Sequence, residues 1–280
     1  MKGKVRKKVI IPIIVSQAAL LGILAFSIYV REANQLTGEV EQRINSVYKL
    51  FRNRLEGDAE MLRGLVDFLE EEAGFRESWQ SRDRDALLGK AAPMFEELKA
   101  KYKVTHFYFI EPDGVCFLRV HNPDRYGDKI ERFTLRGAIE TGDTTYGIEL
   151  GPFGTFTLRR VYPWKIQGNL AGYIELGEEV EHITPQLKDV LGVDLLFTID
   201  KKYLARDEWE KGVAMTGKRA NWQWDMFPSF VIIDSTLKSI PKGLIGIFAK
   251  SKKNTDNTLF RITAGRKVYM GGTIDLYDAG

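Results

Sequence analysis

Residues 9–30, VIIPIIVSQAALLGILAFSIYV, carry no charge, and nothing else in the sequence restricts the chain as tightly. Coiled as an α-helix, the stretch would span roughly 33 Å, about the hydrocarbon thickness of a bilayer. Pro12 lies near its start, where a helix tolerates proline best. Lys2, Lys4, Arg6, Lys7 and Lys8 come before it. Cations on that flank predict an N-terminus in the cytoplasm and a body, from Arg31 onward, on the other side of the membrane. A cleaved signal peptide is the competing reading. The apolar run is long for one, and no clean A-x-A site follows it.

The same five cations settle the charge argument. The formal net charge is +3 over 280 residues, but without residues 2–8 the rest stands at −2. A mildly acidic body gives no reason to expect nucleic acid as a partner. Hydrophobic content of 44% and charged content of 28% are ordinary for a folded protein. Cys116 is the sole cysteine, so no intrachain disulfide forms, and a lone cysteine in a strand reads as a small buried apolar residue. The motifs CxxC, HExxH and GxxxxGK[ST] do not occur, and no cofactor or metal is expected.

Past the apolar run, Val40, Ile44, Val47, Leu50 or Phe51, Leu55, Met61, Leu62, Leu65 and Leu69 recur near helical spacing. They predict a long helix over 34–72, closed by Gly74. Its apolar stripe has no other cover in the sequence and predicts a homodimer. A second helix is expected over 83–101, interrupted or divided by Pro93. The pattern then turns to strands. VTHFYFIE and VCFLRVH flank the turn PDG and read as a hairpin. RFTLRGAIETG reads as a short helix ending at Gly142. TTYGIEL, TFTLRRVYPW and LAGYIELG give three more strands. EEVEHITPQLKDVLG is a connecting helix that Pro185 should kink or divide. VDLLFTI, FVIIDST, IGIFAK, TLFRITAGR and VYMGGTIDLY are further strand candidates, with a helix at KKYLARDEWEKGVA. Few helices and many short strands make an α+β fold.

HFYFIEPDGVCFLRVHNPDRYGDKI, GIELGPFGTFTLRRVYPW and LAGYIELG resemble the signature blocks of the double Cache sensory domains of bacterial sensor histidine kinases and chemoreceptors. The resemblance covers the chain from about Asn34 onward and is strongest over Phe107 to Gly177. It implies an N-terminal transmembrane helix, a long membrane-proximal helix and two tandem PAS-like units with antiparallel sheets. On that pattern residues 1–8 are a basic cytoplasmic tail and 9–30 the transmembrane helix. Residues 34–102 hold the stalk and second helix, and 103–177 the membrane-distal unit. Residues 178–192 are the connecting helix, and 193–280 form the membrane-proximal unit. In the family the distal unit binds a small ligand and signals through a second membrane helix to an output domain. The sequence stops at GGTIDLYDAG, in what reads as mid-hairpin, so a fragment is expected. The implied function is an extracytoplasmic ligand-sensing module for two-component signalling or chemotaxis, anchored in a bacterial inner membrane.

LRVHNPDRYGD, Leu118 to Asp128, packs polar residues at the exit of a strand and reads as the rim of a ligand pocket. Alternation puts Phe117, Arg119 and His121 on one face and Cys116, Leu118 and Val120 on the other. Thr157, Arg159 and Val161 oppose Arg160 and Tyr162, while Tyr173 and Glu175 share a face; alternation does not say which arginine points inward. Arg119, His121 and one of Arg159 and Arg160 would offer donors to a carboxylate or other anion, arginine through its planar fork. Tyr108 and Tyr126 would wall the pocket, and Asp128 would pair with an arginine or take a ligand amine. Asn122, Glu149 and Tyr173 complete the candidate set. The bland alternative is an Arg119–Asp128 ion pair that only pins the loop. A metal held by His121, Asp128 and Glu149 lacks ligand spacing. His106 reads as a strand residue satisfied by a neighbour, and His182 as a helix-surface residue. A hydrolase built on Glu149 and Glu175 lacks a nucleophile with a positioned base, and a purely structural anchored protein is the remaining class.

Overall fold

The computed structural model describes residues 2–216, 223–250, 259–277 and 279. Contacts sort the chain into two compact units, Met1–Ser46 with Thr255–Ile274, and Val47–Asn254 with Asp275–Gly280.

Helix α1 runs from Lys2 to Glu70 without a break. The predicted membrane helix and stalk are thus one helix, with Pro12 inside it. Because α1 begins at Lys2, Pro12 stands in its third turn, inside the helix rather than near its start, and forfeits one hydrogen bond to the carbonyl four residues before it. From Ile10 to Val30 its apolar side chains are exposed, and it is the one helix among the described residues long and apolar enough to cross a membrane.

In the larger unit the stripe Val47, Phe51, Leu55, Ala59, Leu62, Val66 and Leu69 is buried against the unit's own core. Cover for this part of α1 therefore comes from the same chain. Gly74 does not close α1. It lies in a short helix α2 (Ala73–Gln80), whose N-terminus Glu72 caps through its side chain. Helix α3 (Arg84–Tyr102) starts on the Asp83 carboxylate and passes through Pro93 uninterrupted. Pro93 forfeits the bond to the Gly89 carbonyl, and both residues face water, which takes that carbonyl.

Five antiparallel strands follow: β1 (Val104–Ile110), β2 (Cys116–Arg119), β3 (Thr145–Leu150), β4 (Phe156–Ile166) and β5 (Asn169–Glu179). Their order in the sheet is β2-β1-β5-β4-β3. Helix α4 (Phe133–Thr141) lies between β2 and β3 in sequence and ends on Gly142 at φ +66°, as the sequence predicts. One face of the sheet packs Phe75 and Trp79 of α2 against Phe107, Phe109 and Trp164. A Cβ on Gly172 would sit 2.4 Å from the Ile110 carbonyl and 2.8 Å from the Trp79 ring, so the close approach of α2 requires glycine there. The other face buries Tyr108, Ile110, Cys116, Val161 and Tyr173 under Ile130, Leu135 and Ala138.

Strand β2 departs from the predicted alternation. Leu118 pairs with Phe109, but Cys116 pairs with Ile110, so Phe117 is an extra residue in a bulge. The bulge sends Phe117 onto Trp79 and puts Cys116 and Arg119 on the same face.

A 3-10 turn (Val180–His182) leads into helix α5 (Ile183–Leu191). Pro185 kinks nothing, because it sits in the first turn of α5, where an N–H has no helical partner. Beyond it, β6 (Leu196–Asp200) pairs antiparallel with β7 (Phe230–Ser235), and helix α6 (Arg206–Thr216) lies between them in sequence. Their core joins Ile199, Leu204, Trp209, Val231 and Ile233. Trp209 lies 5.8 Å from Trp224, while Trp222 is outside the described residues. IGIFAK is not a strand but part of helix α7 (Lys242–Lys250). Leu244 and Phe248, four apart, face inward together, with Phe248 against Phe230 at 5.2 Å. In the smaller unit β8 (Leu259–Ala264) and β9 (Lys267–Gly272) form a separate hairpin.

Candidate functional site

The register assembles one polar face. Tyr108 pairs with both Arg119 and Glu175, Val161 with Glu175, and Arg159 with Gly177 and Gly147. Tyr108, Arg119, Arg159, Tyr173 and Glu175 therefore point to the same side, under α4 and the 120–132 loop. At its centre Glu175 is fully buried. Its Oε1 accepts from Arg159 at 2.7 Å and from Arg132. The Arg132 guanidinium also lies 4.6 Å from the Tyr108 ring centre, a cation–π arrangement. Glu149 Oε1 accepts from the Thr134 backbone N–H at 2.7 Å and from its hydroxyl at 2.9 Å, so a carboxylate sits at the N-terminus of α4. The Arg159 Nε approaches Glu149 Oε2 at 3.4 Å. Three polar atoms on this face, Glu175 Oε2, Thr157 Oγ1 and the Arg159 Nε, are buried and have no hydrogen-bond partner among the described residues.

Arg119 makes a bidentate pair with Asp128, at 2.6 and 2.7 Å, and donates to the Arg125 carbonyl at 2.6 Å. The pair pins the loop to β2. The hydrogen bond from Arg119 holds the Asp128 carboxyl below the ordinary carboxylate range. Burial pushes the Cys116 thiol up to about 11, which leaves it an inert apolar filler.

Of the predicted residues, Tyr108, Arg119, Asp128, Glu149, Arg159 and Tyr173 come together here, and His121 lies at the margin. Asn122 is exposed and enters only the loop's backbone turn. Tyr126 is exposed, with the Arg84 guanidinium stacked 3.8 Å over its ring. Arg160 points to the opposite face, where it donates to the Ala59 carbonyl of α1 at 3.1 Å. Of the two arginines, Arg159 is the one on the polar face. Arg132 and the central role of Glu175 were missed. Glu175 shares a face with Tyr173 by alternation, but only the strand register puts it opposite Tyr108. Nothing in ERFTLRG marks Arg132 as reaching the sheet.

His121 stacks edge-on against Tyr108 at 4.7 Å and His106 at 4.9 Å. His106 is satisfied by the Thr105 hydroxyl at 2.8 Å. Burial lowers His121 to about 4, and burial with the Arg159 charge lowers His106 well below 6.5. Folding therefore favours both rings neutral. The contribution of His121 to stability is complete above pH 6.5 and is lost as pH falls toward 4, on the order of 3 kcal/mol, and His106 acts in the same direction. The melting temperature of the wild type should fall across that window, and His121→Gln should flatten the fall; an equal slope in the variant would contradict the assignment. A half-open cavity of about 350 Å³ lies beside His121, lined also by Phe95, Glu96, Lys99, Thr105 and Val120.

A long N-terminal helix leads into an α+β body with a buried polar face on its antiparallel sheet, the architecture expected of a double Cache sensory domain. The chain belongs to that family: the double sensory domain of two-component sensor kinases matches residues 38–221. No curated protein sequence matches the chain. Among solved structures, the Vibrio cholerae LuxQ periplasmic domain is 15% identical with a TM-score of 0.46, over 81% of this chain and 94% of that one. The E. coli DcuS sensor domain is 17% identical with a TM-score of 0.41, over 48% and 98%. The V. cholerae DctB histidine kinase sensor domain is 14% identical with a TM-score of 0.48, over 60% and 64%.

Proposed function

We propose that this chain is the extracytoplasmic, small-ligand sensing part of a transmembrane receptor, and that the Arg132–Arg159–Glu175 face binds a small carboxylate. The observation that carries the reading is the convergence of two arginines on one fully buried glutamate, with Glu175 Oε2, Thr157 Oγ1 and Arg159 Nε buried there without hydrogen bonds among the described residues. A ligand carboxylate would take the place of Glu175 Oε1 between the two arginines and so supply the charge that their burial demands. Tyr108 and Tyr173 supply aromatic walls, and Glu149 holds α4 as the cover. Residues 103–177 would be the ligand-binding unit, 178–192 the connection, and the segment from 193 the second, membrane-proximal unit. Residues 9–30 would anchor the chain in an inner membrane, with residues 1–8 cytoplasmic and the body periplasmic. No catalytic step is assigned to the site.

Transmission is short in this arrangement. Arg159 faces the ligand, and its neighbour Arg160 holds α1 at Ala59. A ligand that shifts β4 would therefore bias the position of α1, which is a population shift between two packings. Pairing of two copies would fall to α1 before Val47, where Leu36 is exposed.

The test is a thermal-shift panel of small mono- and dicarboxylates and amino acids on the full chain in detergent. A ligand at about 100 times its Kd should add about 2.7 kcal/mol of stability. Arg132→Gln should abolish that shift while keeping the far-ultraviolet spectrum. A panel without any shift, or an undiminished shift in the variant, would sink the proposal.

A further inference from the structure

A second polar cluster lies away from this face, where β5 leaves the sheet. Asp58 of α1, Glu178 of β5 and His182 of the 3-10 turn each offer one ligand atom, and the three atoms lie within 4.8 Å of one another. Asp58 is 4% exposed and Glu178 1%.

Contacts outside the cluster hold Asp58 and His182 in place and turn their inner atoms toward each other. Arg54 takes Asp58 Oδ1 at 3.1 Å, so Oδ2 is the atom that faces His182. His182 Nδ1 lies 2.9 Å from the Glu179 carbonyl. Donating its Nδ1 proton there aims Nε2 at the carboxylates, where a cation would replace the proton through which Nε2 bonds Asp58 Oδ2. That is the outer-shell support metal-bound histidines use. Nε2 stands 3.3 Å from Asp58 Oδ2. Ligands about 2.0–2.1 Å from a tetrahedral zinc ion stand about 3.3 Å apart, so a cation fits between these two atoms. Glu178 supplies the second, independent sign. Its Oε1 is buried without a hydrogen-bond partner among the described residues. Two carboxylates pressed together in a buried place repel. A divalent cation relieves that repulsion more fully than one shared proton.

We infer that Asp58, Glu178 and His182 form a binding site for one divalent cation of the zinc type, a fourth position going to water, which clamps α1 to the end of β5. One imidazole with two carboxylates suits zinc better than magnesium, which takes oxygen ligands in an octahedron. The clamp lies on the segment joining the sheet to α5, so metal occupancy would set how firmly α1 is held.

The experiment titrates zinc alone into the full chain in detergent, in competition with a chromophoric chelator, with magnesium as the control. The expected result is one zinc per chain and no displacement by magnesium. His182→Ala and Asp58→Asn should each weaken zinc binding at least about 10-fold, the scale on which even outer-shell changes act. Circular dichroism reports whether each variant folds. Should those two fail to fold, Glu178→Gln keeps shape and volume and must likewise lose zinc. Absence of zinc binding to the wild type, or unchanged affinity in the folded variants, overturns the inference. The second outcome would place the metal at His106, His121 or the N-terminus.

Discussion

Glu175→Ala should cost about 3–5 kcal/mol of folding stability, the range for breaking a buried ion pair from one side. Arg132 and Arg159 both lean on Glu175 Oε1. Removing the carboxylate leaves two guanidinium groups desolvated. Arg159 retains Glu149 at 3.4 Å, while Arg132 keeps Tyr108, the more distant charge of Glu149 and a partly exposed edge. For a body of this size the melting temperature should drop by about 10 °C. Glu175→Gln, which keeps an acceptor oxygen, should lose less. Replacing Glu175 and Arg159 together by leucine should recover part of the loss, since a buried pair exchanged for apolar packing is often near neutral. Chemical denaturation of the wild type, Glu175→Leu, Arg159→Leu and the double leucine variant gives the coupling energy directly. A cost below 1 kcal/mol for Glu175→Ala would mean the pair is solvated, and the buried face described above would be wrong.

Trp164→Ala acts on the opposite side of the same sheet and should also cost about 3–5 kcal/mol. Its ring is fully buried, 5.5 Å from Trp79 and 5.9 Å from Phe109. Deletion leaves a cavity that α2 can fill only by moving, and Gly172 already marks how close α2 lies to the strands. The indole Nε1 has no partner among the described residues, so no hydrogen bond is lost with it. The distinguishing feature is function. Trp164 touches none of the polar face, so the folded fraction of Trp164→Ala should bind a carboxylate as the wild type does. Glu175→Ala should bind it differently. Calorimetry at a temperature where both variants are folded separates the two, and a binding defect in Trp164→Ala would show that the sheet's two faces are not independent.

The hairpin, the five strands and the cap at Gly142 were legible because turn residues and strand patterns occur together there. PDG carries the turn, and TGD follows a helical period. Errors arose where two physical readings fit one short string. IGIFAK is apolar enough for a strand and short enough to hide its period, and only the pairing of Leu244 and Phe248 on one side reveals a helix. AGFRESWQ is one helix of two turns whose start depends on a Glu72 cap, and Gly74 looked like a terminator. Pro93 looked like a break because exposure, which makes the missing hydrogen bond cheap, is not visible in a string.

The site was half legible for a related reason. Strand alternation grouped Thr157, Arg159 and Val161 correctly, as well as Tyr173 with Glu175. It failed in β2, where one bulged residue, Phe117, reverses the side on which Arg119 emerges relative to Cys116. His182 was read as a surface residue because its partner, Asp58, lies 124 positions away on α1. Contacts of that span leave no local pattern.

The most direct test of the central claim is a structure of the chain with the carboxylate that gives the largest thermal shift. The account predicts its carboxylate on Arg132 and Arg159, with Glu175 displaced and Tyr108 against the ligand. A carboxylate found instead in the cavity beside Lys99 and His121, with the Arg159–Glu175 pair intact, would contradict it.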